Sequence, residues 1–529
     1  MTSSAPTTAS SHVLERGVRL SASRLWQLQR AFFDRQGVDA WRRGLVPQYI
    51  TTNPTIVGAY ARVVAGYLAD RAPVDADAPL HIVELGAGSG RFAYLFLRRL
   101  TQLLRGARLP LRYVMTDLAA RNVEHWRAHP QLRPFVERGV LDFARFDVEH
   151  DRQLRLDVSG ATLGPGPLAG GLVVIANYFF DGIPQDAFVI RGGQLLESLV
   201  TVATPDPAPD PDDPALLASA VLSYESHLTR AEGYYDDPEF DAILHGHAQR
   251  LAGTAIRFPI AALRCVRLLR ALAGDRMLLL SADKGHLHED ELLGQPSTGI
   301  TVHGSFSMNV DYYALATYVR GAGGRVLHAS HRHVHLLVVG FLFGEHPADH
   351  PATHLAFADA IGQFGPDEFF SLKKAIEPRL DRLTLAQLLA LLRLAGGDPR
   401  VLSQCLPTLT TLAETAPERD RRDLFQVVEL VWDQYFHLGE EPDLAFQIGA
   451  LLHGMEYYPE AATYFMRSLE LYGPDAHTLF NLGVCHYHLR HLADALACAE
   501  ATLALDPDHE AARAMRIELT AQRRATGDG

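Results

Sequence analysis

Cysteine is scarce and scattered. The 529 residues hold four, Cys265, Cys405, Cys485 and Cys498, with no C-x-x-C pair among them. That spacing excludes a disulfide framework and a zinc knuckle, and it fits a reducing, cytoplasmic setting. No apolar run is long enough to span a bilayer, so no membrane partner is expected. Positive charge is in deficit: 49 Lys and Arg face 62 Asp and Glu, for a net charge of -13. A nucleic-acid-binding body is normally basic, so no such partner is expected either. The opening MTSSAPTTASSH lacks the charged start and apolar core of a secretory signal, and residues 1–20 read as a disordered tail. The G-x-S-x-G elbow of hydrolases is missing, and Gly88-Ser89-Gly90 is not one.

What is present is a soluble globular composition, 47% apolar and 21% charged, on a chain long enough for two or three domains. The most informative stretch is HIVELGAGSGRFAYLFL, His81 to Leu97. A short apolar run ends in Glu84, and Gly86, Gly88 and Gly90 follow at every second residue. An apolar helical pattern starts at once. This reads as strand, glycine turn, helix. Glycines let the backbone turn sharply and approach a ligand that a side chain would exclude. The helix then offers its unpaired N–H groups and the positive end of its dipole. Dinucleotide sites want G-x-G-x-x-G. The G-x-G-x-G here, after a strand closed by an acid, is instead like motif I of the S-adenosylmethionine (SAM) methyltransferases.

Elements follow in alternation. Apolar residues at helical spacing fill 21–45 and 54–70, joined by PQYITTN, either pocket lining or plain connector. LRYVM (Leu111 to Met115) is a second buried strand tipped by Asp117. An acid there can take both ribose hydroxyls of a nucleoside or cap the following helix; the spacing from Gly86 favours the ribose. A third strand near Val140 to Phe146 ends at Asp147, beside the adenine or in a solvated loop. GLVVIA (Gly171 to Ala176) reads as a central parallel strand, followed by Asn177-Tyr178-Phe179-Phe180-Asp181. Ligands in open α/β sheets lie beyond the carboxyl ends of the strands, which places Asn177 and Asp181 where transfer chemistry would occur.

Residues 187–202 suggest a hairpin turning at Gly192-Gly193, 204–214 a mobile Pro/Asp loop, and 215–272 helices. A fifth strand, Met277 to Ala282, ends in Asp283, and two strands near 325–328 and 334–343 close the sheet. His331, His333 and His335 alternate, so in a strand they share one face. With no acid or cysteine beside them, exposed strand histidines are expected rather than a metal site. Beyond about residue 365 only helices are expected. Thr384 starts one and Gly396-Gly397 stop it. Gly449 and Gly483, Ile448 and Leu482, and Ala461 and Ala495 match at one 34-residue offset, and Pro474 and Pro507 close the units. These are features of tetratricopeptide repeats (TPRs).

Three segments together, VELGAGSGRFAYL, ANYFFDGIP and LLLSADKG, resemble the MidA-like family of SAM-dependent methyltransferases, which includes the mitochondrial arginine methyltransferase that helps assemble respiratory complex I. The resemblance covers roughly residues 25–345. It implies that Gly86, Gly88 and Gly90 hold the methionine end of SAM, that Glu84 lies beneath it, and that Asp117 takes the ribose. Two departures weaken the inference to arginine. Tyr178 stands where the family has Glu, and Ser305, in His303-Gly304-Ser305-Phe306, stands where it has Asp. Carboxylates are the natural clamps of a guanidinium.

The expected architecture is a Rossmann-like methyltransferase domain at 21–350, with an insertion at about 185–272. An all-α region follows at 360–523, with TPR units at about 442–475 and 476–508. The expected function is methyl transfer to a protein or peptide, with Asp181 and Asn177 as first catalytic candidates and Tyr178 and His303 as second. The repeats would recruit the partner, or serve only to pair two copies of the chain. A small-molecule methyltransferase and a non-catalytic assembly scaffold are the alternatives.

Overall fold

The computed structural model describes residues 12–70, 79–104, 110–164, 166, 168–296, 300–344, 346 and 350–526. The chain divides into two compact units, residues 1–371 and 372–529.

The first unit is built on a seven-stranded sheet. Its order is Arg325–His328, Leu337–Phe343, Met277–Asp283, Leu172–Asn177, Leu80–Glu84, Leu111–Asp117, Leu141–Arg145. The last five are mutually parallel, and Leu337–Phe343 runs antiparallel to Met277–Asp283. The strands Leu80–Glu84 and Met277–Asp283 are buried along their whole length. This is why they read as continuous apolar runs: a parallel sheet is covered on both faces. From Leu80–Glu84 the chain builds outward through Leu111–Asp117 and Leu141–Arg145, then returns to lay Leu172–Asn177 on the other side. The strand order therefore reverses between Leu80–Glu84 and Leu172–Asn177, and the loops leaving their carboxyl ends diverge. That is where an open α/β sheet opens a crevice.

A second sheet, wholly antiparallel, holds Asp186–Arg191, Gln194–Thr204, Thr254–Phe258, Val221–Leu228 and His12–Val18. Three expectations are corrected here. His12–Val18 is an edge strand on Gln194–Thr204, not tail; none of its residues is fully buried, so pairing rather than burial orders it and no apolar pattern announces it. Residues 1–11 lie outside the described residues. The stretch 215–272 is not all helix: Val221–Leu228 and Thr254–Phe258 are strands flanking the helix Pro238–Arg250. The 204–214 loop is ordered by aspartates that accept neighbouring N–H groups, and Arg35 pairs with Asp213.

The histidine run is corrected too. His331, His333 and His335 lie in a loop, because Asp367 accepts the N–H groups of Val334, His335 and Leu336 and the strand starts only at Leu337. An acid does accompany them: Glu368 lies 2.5 Å from His331 Nε2.

The second unit is helical. Leu385–Leu394 starts at a capping box made by Thr384 and Gln387. Leu444–Gly454 with Tyr458–Tyr472, and Ala476–His488 with Leu492–Leu505, form two helical hairpins, followed by Glu510–Thr526. Gly449 and Gly483 sit at the crossings, where a Cβ would come within 2.8 Å of Phe465 and 3.0 Å of Cys498 respectively. That close approach is the reason for the repeated small residue.

One buried charge pair ties together two helices of the first unit, Pro238–Arg250 and Tyr312–Gly321. His247 Nε2 lies 2.9 Å from Asp311 Oδ2, with side chains 0% and 1% exposed. Asp311 also caps the helix Tyr312–Gly321 through the N–H of Ala314. Burial pushes the imidazole pKa down, but Asp311 more than offsets this, so it is raised overall. Removing one partner of a buried pair typically costs about 3–5 kcal/mol. His247→Ala is therefore expected to lower the thermal midpoint strongly near neutral pH. Because the folded imidazole pKa is raised, its contribution is present below the ordinary value and lost as pH rises through the folded one. The gap between wild type and variant should narrow in alkaline buffer, which calorimetric melts across pH would measure.

Candidate functional site

The cleft opens at the strand-order reversal. It has a volume of about 220 Å³ and is walled by Trp26, Phe33, Trp41, Phe92, Phe146 and Phe306 among others. Of the residues singled out in the sequence, Glu84, Gly86, Gly88, Asp117, Asp147, Asn177, Tyr178, Asp181 and His303 all line it. Gly90 does not. It opens the helix Arg91–Leu103 in a left-handed conformation and packs under Trp126 and Met115.

The glycine turn is held on all sides. Ala87 N–H donates to the Thr116 carbonyl and Trp126 Nε1 to the Gly88 carbonyl. Gly88 has φ +53°, and a Cβ there would lie 2.7 Å from the Trp41 ring. The segment PQYITTN, open between two readings in the sequence, lines the cleft: Gln48 takes a hydrogen bond from Ser89 Oγ at 3.2 Å, and Thr51 and Thr52 stand beside it.

Glu84 sits beneath the turn, 5% exposed, accepting a hydrogen bond from Tyr113 Oη at 2.9 Å. Burial raises its pKa to about 8, against the pull of that hydrogen bond, and nearby Asp117 adds to the rise. Asp117 accepts from the N–H groups of Gly88 and Ala119 and from Asn122 Nδ2. It thus braces the glycine turn as well as presenting an acid at the strand tip. Burial raises its pKa, opposed by these same bonds. Asp147 is different: although partial burial pushes the other way, Arg30 at 2.6 Å, together with His150, holds it down to about 2. Arg30 also pairs with Glu149. No local pattern in the sequence points to Arg30, which comes from a helix 117 positions away.

At the other end of the cleft lie the groups after Leu172–Asn177. Asn177 Oδ1 accepts from Tyr60 Oη at 2.9 Å, and its Nδ2 reaches the Thr51 carbonyl at 3.4 Å. Its amide ties the end of the strand Leu172–Asn177 to the helices Tyr49–Thr52 and Pro54–Ala69. Tyr178 has φ +47°, a strained conformation for a residue with a side chain. Asp283 Oδ2 accepts from three consecutive N–H groups, those of Phe179, Phe180 and Asp181. These contacts shape the turn that carries Asp181.

The Asp181 and Asp283 carboxyls are buried neighbours, 8% and 0% exposed, and Asp283 Oδ1 has no hydrogen-bond partner. Burial raises Asp181 to about 7 and raises Asp283 well above the usual range, the neighbouring charge adding to the effect on Asp283. Two buried carboxyls side by side resist ionising together, so each keeps its proton to a higher pH than a free carboxyl would. The sequence marks Asp283 only as a strand tip, the same signal that marks Asp117. Ser305 and His303 line the same cleft as Asp181, and Ser305 Oγ and His303 Nδ1 are buried and lack a hydrogen-bond partner. His303 Nε2 lies 3.1 Å from Ser307 Oγ. Burial, with Lys284 nearby, lowers the His303 pKa and keeps the ring neutral.

These residues fit SAM. Glycines at positive φ clear its approach, an acid stands at the second strand tip, and a buried acid lies beneath the turn. Residues 63–258 match the family model described as "Putative S-adenosyl-L-methionine-dependent methyltransferase". That span includes the glycine turn, Asp117 and Asp181. Residues 476–509 match the tetratricopeptide repeat model.

Two solved structures from Burkholderia thailandensis are similar. One, a COG1565 superfamily protein, shares 17% identity over 59% of this chain and 80% of its own, with a TM-score of 0.34. The other, a COG1565 superfamily member bound to S-adenosyl-homocysteine, shares 15% identity over 59% and 81%, with a TM-score of 0.33. Comparison with curated proteins gives no significant match.

The protein is a SAM-dependent methyltransferase. More particularly, residues 63–258 match the model of that family, and residues 476–509 in the helical unit match the TPR model. Among the described residues, no helix is long and apolar enough to cross a membrane.

The Glu84 carboxyl gives a test of the buried site without any ligand. Its folded pKa of about 8 exceeds the ordinary value of 4.5. Folding therefore meets no ionisation cost below the unfolded value and a growing one as pH rises to the folded value. Glu84→Gln is expected to be near neutral in acid and stabilising above about pH 8. Melting curves of the two proteins across this range would check it; parallel curves at every pH would contradict the buried neutral acid.

Proposed function

We propose that the enzyme methylates a nitrogen on a protein or peptide that its TPR region recruits. The observation that carries this reading is the polar end of the cleft. Asp181, one of two neighbouring buried carboxyls held toward the protonated form, lines the cleft together with a serine and a histidine that each carry a buried polar atom without a partner. Buried polar atoms are normally hydrogen-bonded. An acceptor group with two or more N–H donors would complete this set. With Tyr178 and Ser305 standing where the MidA-like family carries acids, Asp181, its backbone N–H held by Asp283, is the carboxyl available to an acceptor at this end.

When bound, the cofactor supplies an activated methyl group, taken in line by a nitrogen lone pair as the carbon–sulfur bond breaks toward sulfur. Gly86 and Gly88 would clear its approach and Asp117 would take its ribose hydroxyls. Glu84, held neutral in the free protein, would ionise under a cationic ligand. Asp181 would orient the nitrogen and accept its proton, with Asp283 setting both its position and its charge. Asn177 would act at one remove, fixing the loop through Tyr60 and Thr51. His303, neutral, would accept a further N–H. The TPR region offers the grooved surface of stacked helical pairs to a partner. The four free cysteines fit work in a reducing, cytoplasmic setting.

Asp181→Asn keeps shape and can still hydrogen-bond Asp283, but it cannot take a proton. Its turnover is expected to fall about a hundredfold or more, with SAM affinity nearly unchanged. The assay is methyl incorporation into proteins captured by the full-length chain, read by mass spectrometry and localised to nitrogen. Near-normal turnover in the folded variant would remove Asp181 from the chemistry. A parallel drop in melting temperature and SAM affinity, with normal turnover of the folded fraction, would assign it a structural role.

A further inference from the structure

Three side chains converge at the turn that joins the two helices of the 476–509 repeat. His486 lies in the last turn of Ala476–His488, His491 just before Leu492–Leu505, and Asp494 in the first turn of that helix. One ligand atom from each lies within 4.8 Å of the other two. Among the described residues this is the one group of three or more His, Cys, Asp or Glu that meets that geometry.

The arrangement is set by backbone rather than by chance side-chain contact. The His491 N–H donates to the His486 carbonyl at 2.9 Å, and Arg490 turns the chain with φ +64°. Leu489 N–H closes the first helix on Cys485, and Ala495 N–H opens the second on His491. Leu482, Cys485 and Ala495, all buried, lock the two helices together beneath the turn. The imidazole rings are consequently held 5.9 Å apart between centroids. His486 Nδ1 is buried with no hydrogen-bond partner, while His491 and Asp494 are exposed. A cation could therefore enter from solvent and meet one ligand already ordered.

We propose that His486, His491 and Asp494 form a site for a divalent transition metal ion, zinc being the best match. Two imidazoles and a carboxylate are borderline ligands suited to Zn²⁺, with Cu²⁺, Ni²⁺ and Co²⁺ as competitors, and unsuited to Ca²⁺ or Mg²⁺, which prefer all-oxygen shells. Zinc–ligand bonds of about 2.0–2.1 Å put tetrahedral neighbours about 3.3–3.4 Å apart, so the side chains need draw in by about 1.5 Å at most. Three protein ligands leave a fourth position for water. The ion would clip the repeat's internal turn, where His491 and Asp494 are exposed.

The test is zinc titration by calorimetry on the full-length protein after chelation and desalting, with Co²⁺ absorption as a second readout of four-coordinate geometry. One equivalent with micromolar affinity is expected, together with visible d–d bands from Co²⁺. His491→Ala and Asp494→Asn, both at exposed positions, should each weaken that equivalent by at least about tenfold while leaving the circular dichroism unchanged. His331→Ala/His333→Ala, in the other histidine-rich segment, should leave it intact. Absence of micromolar binding in the wild type, or wild-type binding in His491→Ala and Asp494→Asn, would overturn the site. So would loss of the equivalent in the His331→Ala/His333→Ala control alone.

Discussion

The site depends on one carboxylate, that of Asp283. It ends a fully buried strand, accepts three successive N–H groups from the turn after Asn177, and lies in contact with Asp181. Those N–H groups would otherwise be buried donors without partners, at a cost of about 1–3 kcal/mol each. Meeting them fixes the path of Phe179, Phe180 and Asp181. The two carboxyls also bear on each other's charge, since buried side by side they resist ionising together. Position and protonation at the polar end of the cleft thus have a common cause.

The opposite end is organised by a different economy. Glu84, Asp117 and the glycine turn interlock: Asp117 takes the Gly88 N–H, Thr116 takes that of Ala87, and Tyr113 reaches Glu84. Most of these groups therefore serve the fold as well as facing the cleft. Neutral Glu84 and ionised Asp147 show what surroundings do to one functional group. Glu84 has apolar enclosure and a single phenol, whereas Asp147 has a guanidinium at 2.6 Å. The result is a cleft whose formal charge is much lower than its count of acids.

In the helical unit, repetition and singularity are separable. Gly449 and Gly483 recur because each lets two helices approach to within a side chain's thickness. The His486, His491, Asp494 cluster does not recur. It belongs to one turn, and whatever binds there distinguishes this repeat from its neighbour.

Local periodicity made much of this protein legible in its sequence. The glycine turn, the strand tips at Glu84, Asp117 and Asp283, the parallel sheet and the 34-residue helical pairing all follow from spacings of a few residues, because backbone geometry repeats over that range. The carboxyl ends of parallel strands also share one edge, which is why nine of the residues singled out line a single cleft. Tertiary structure decided the rest. Edge strands such as His12–Val18 and Val221–Leu228 are ordered by partners rather than by burial, so no apolar pattern marks them. The capture of Asp147 by Arg30 and of Asn177 by Tyr60, each across 117 positions, and the enclosure of Asp181 with Asp283, depend on contacts that no local spacing encodes. Charge state is a property of surroundings, and surroundings exist only once the chain has folded.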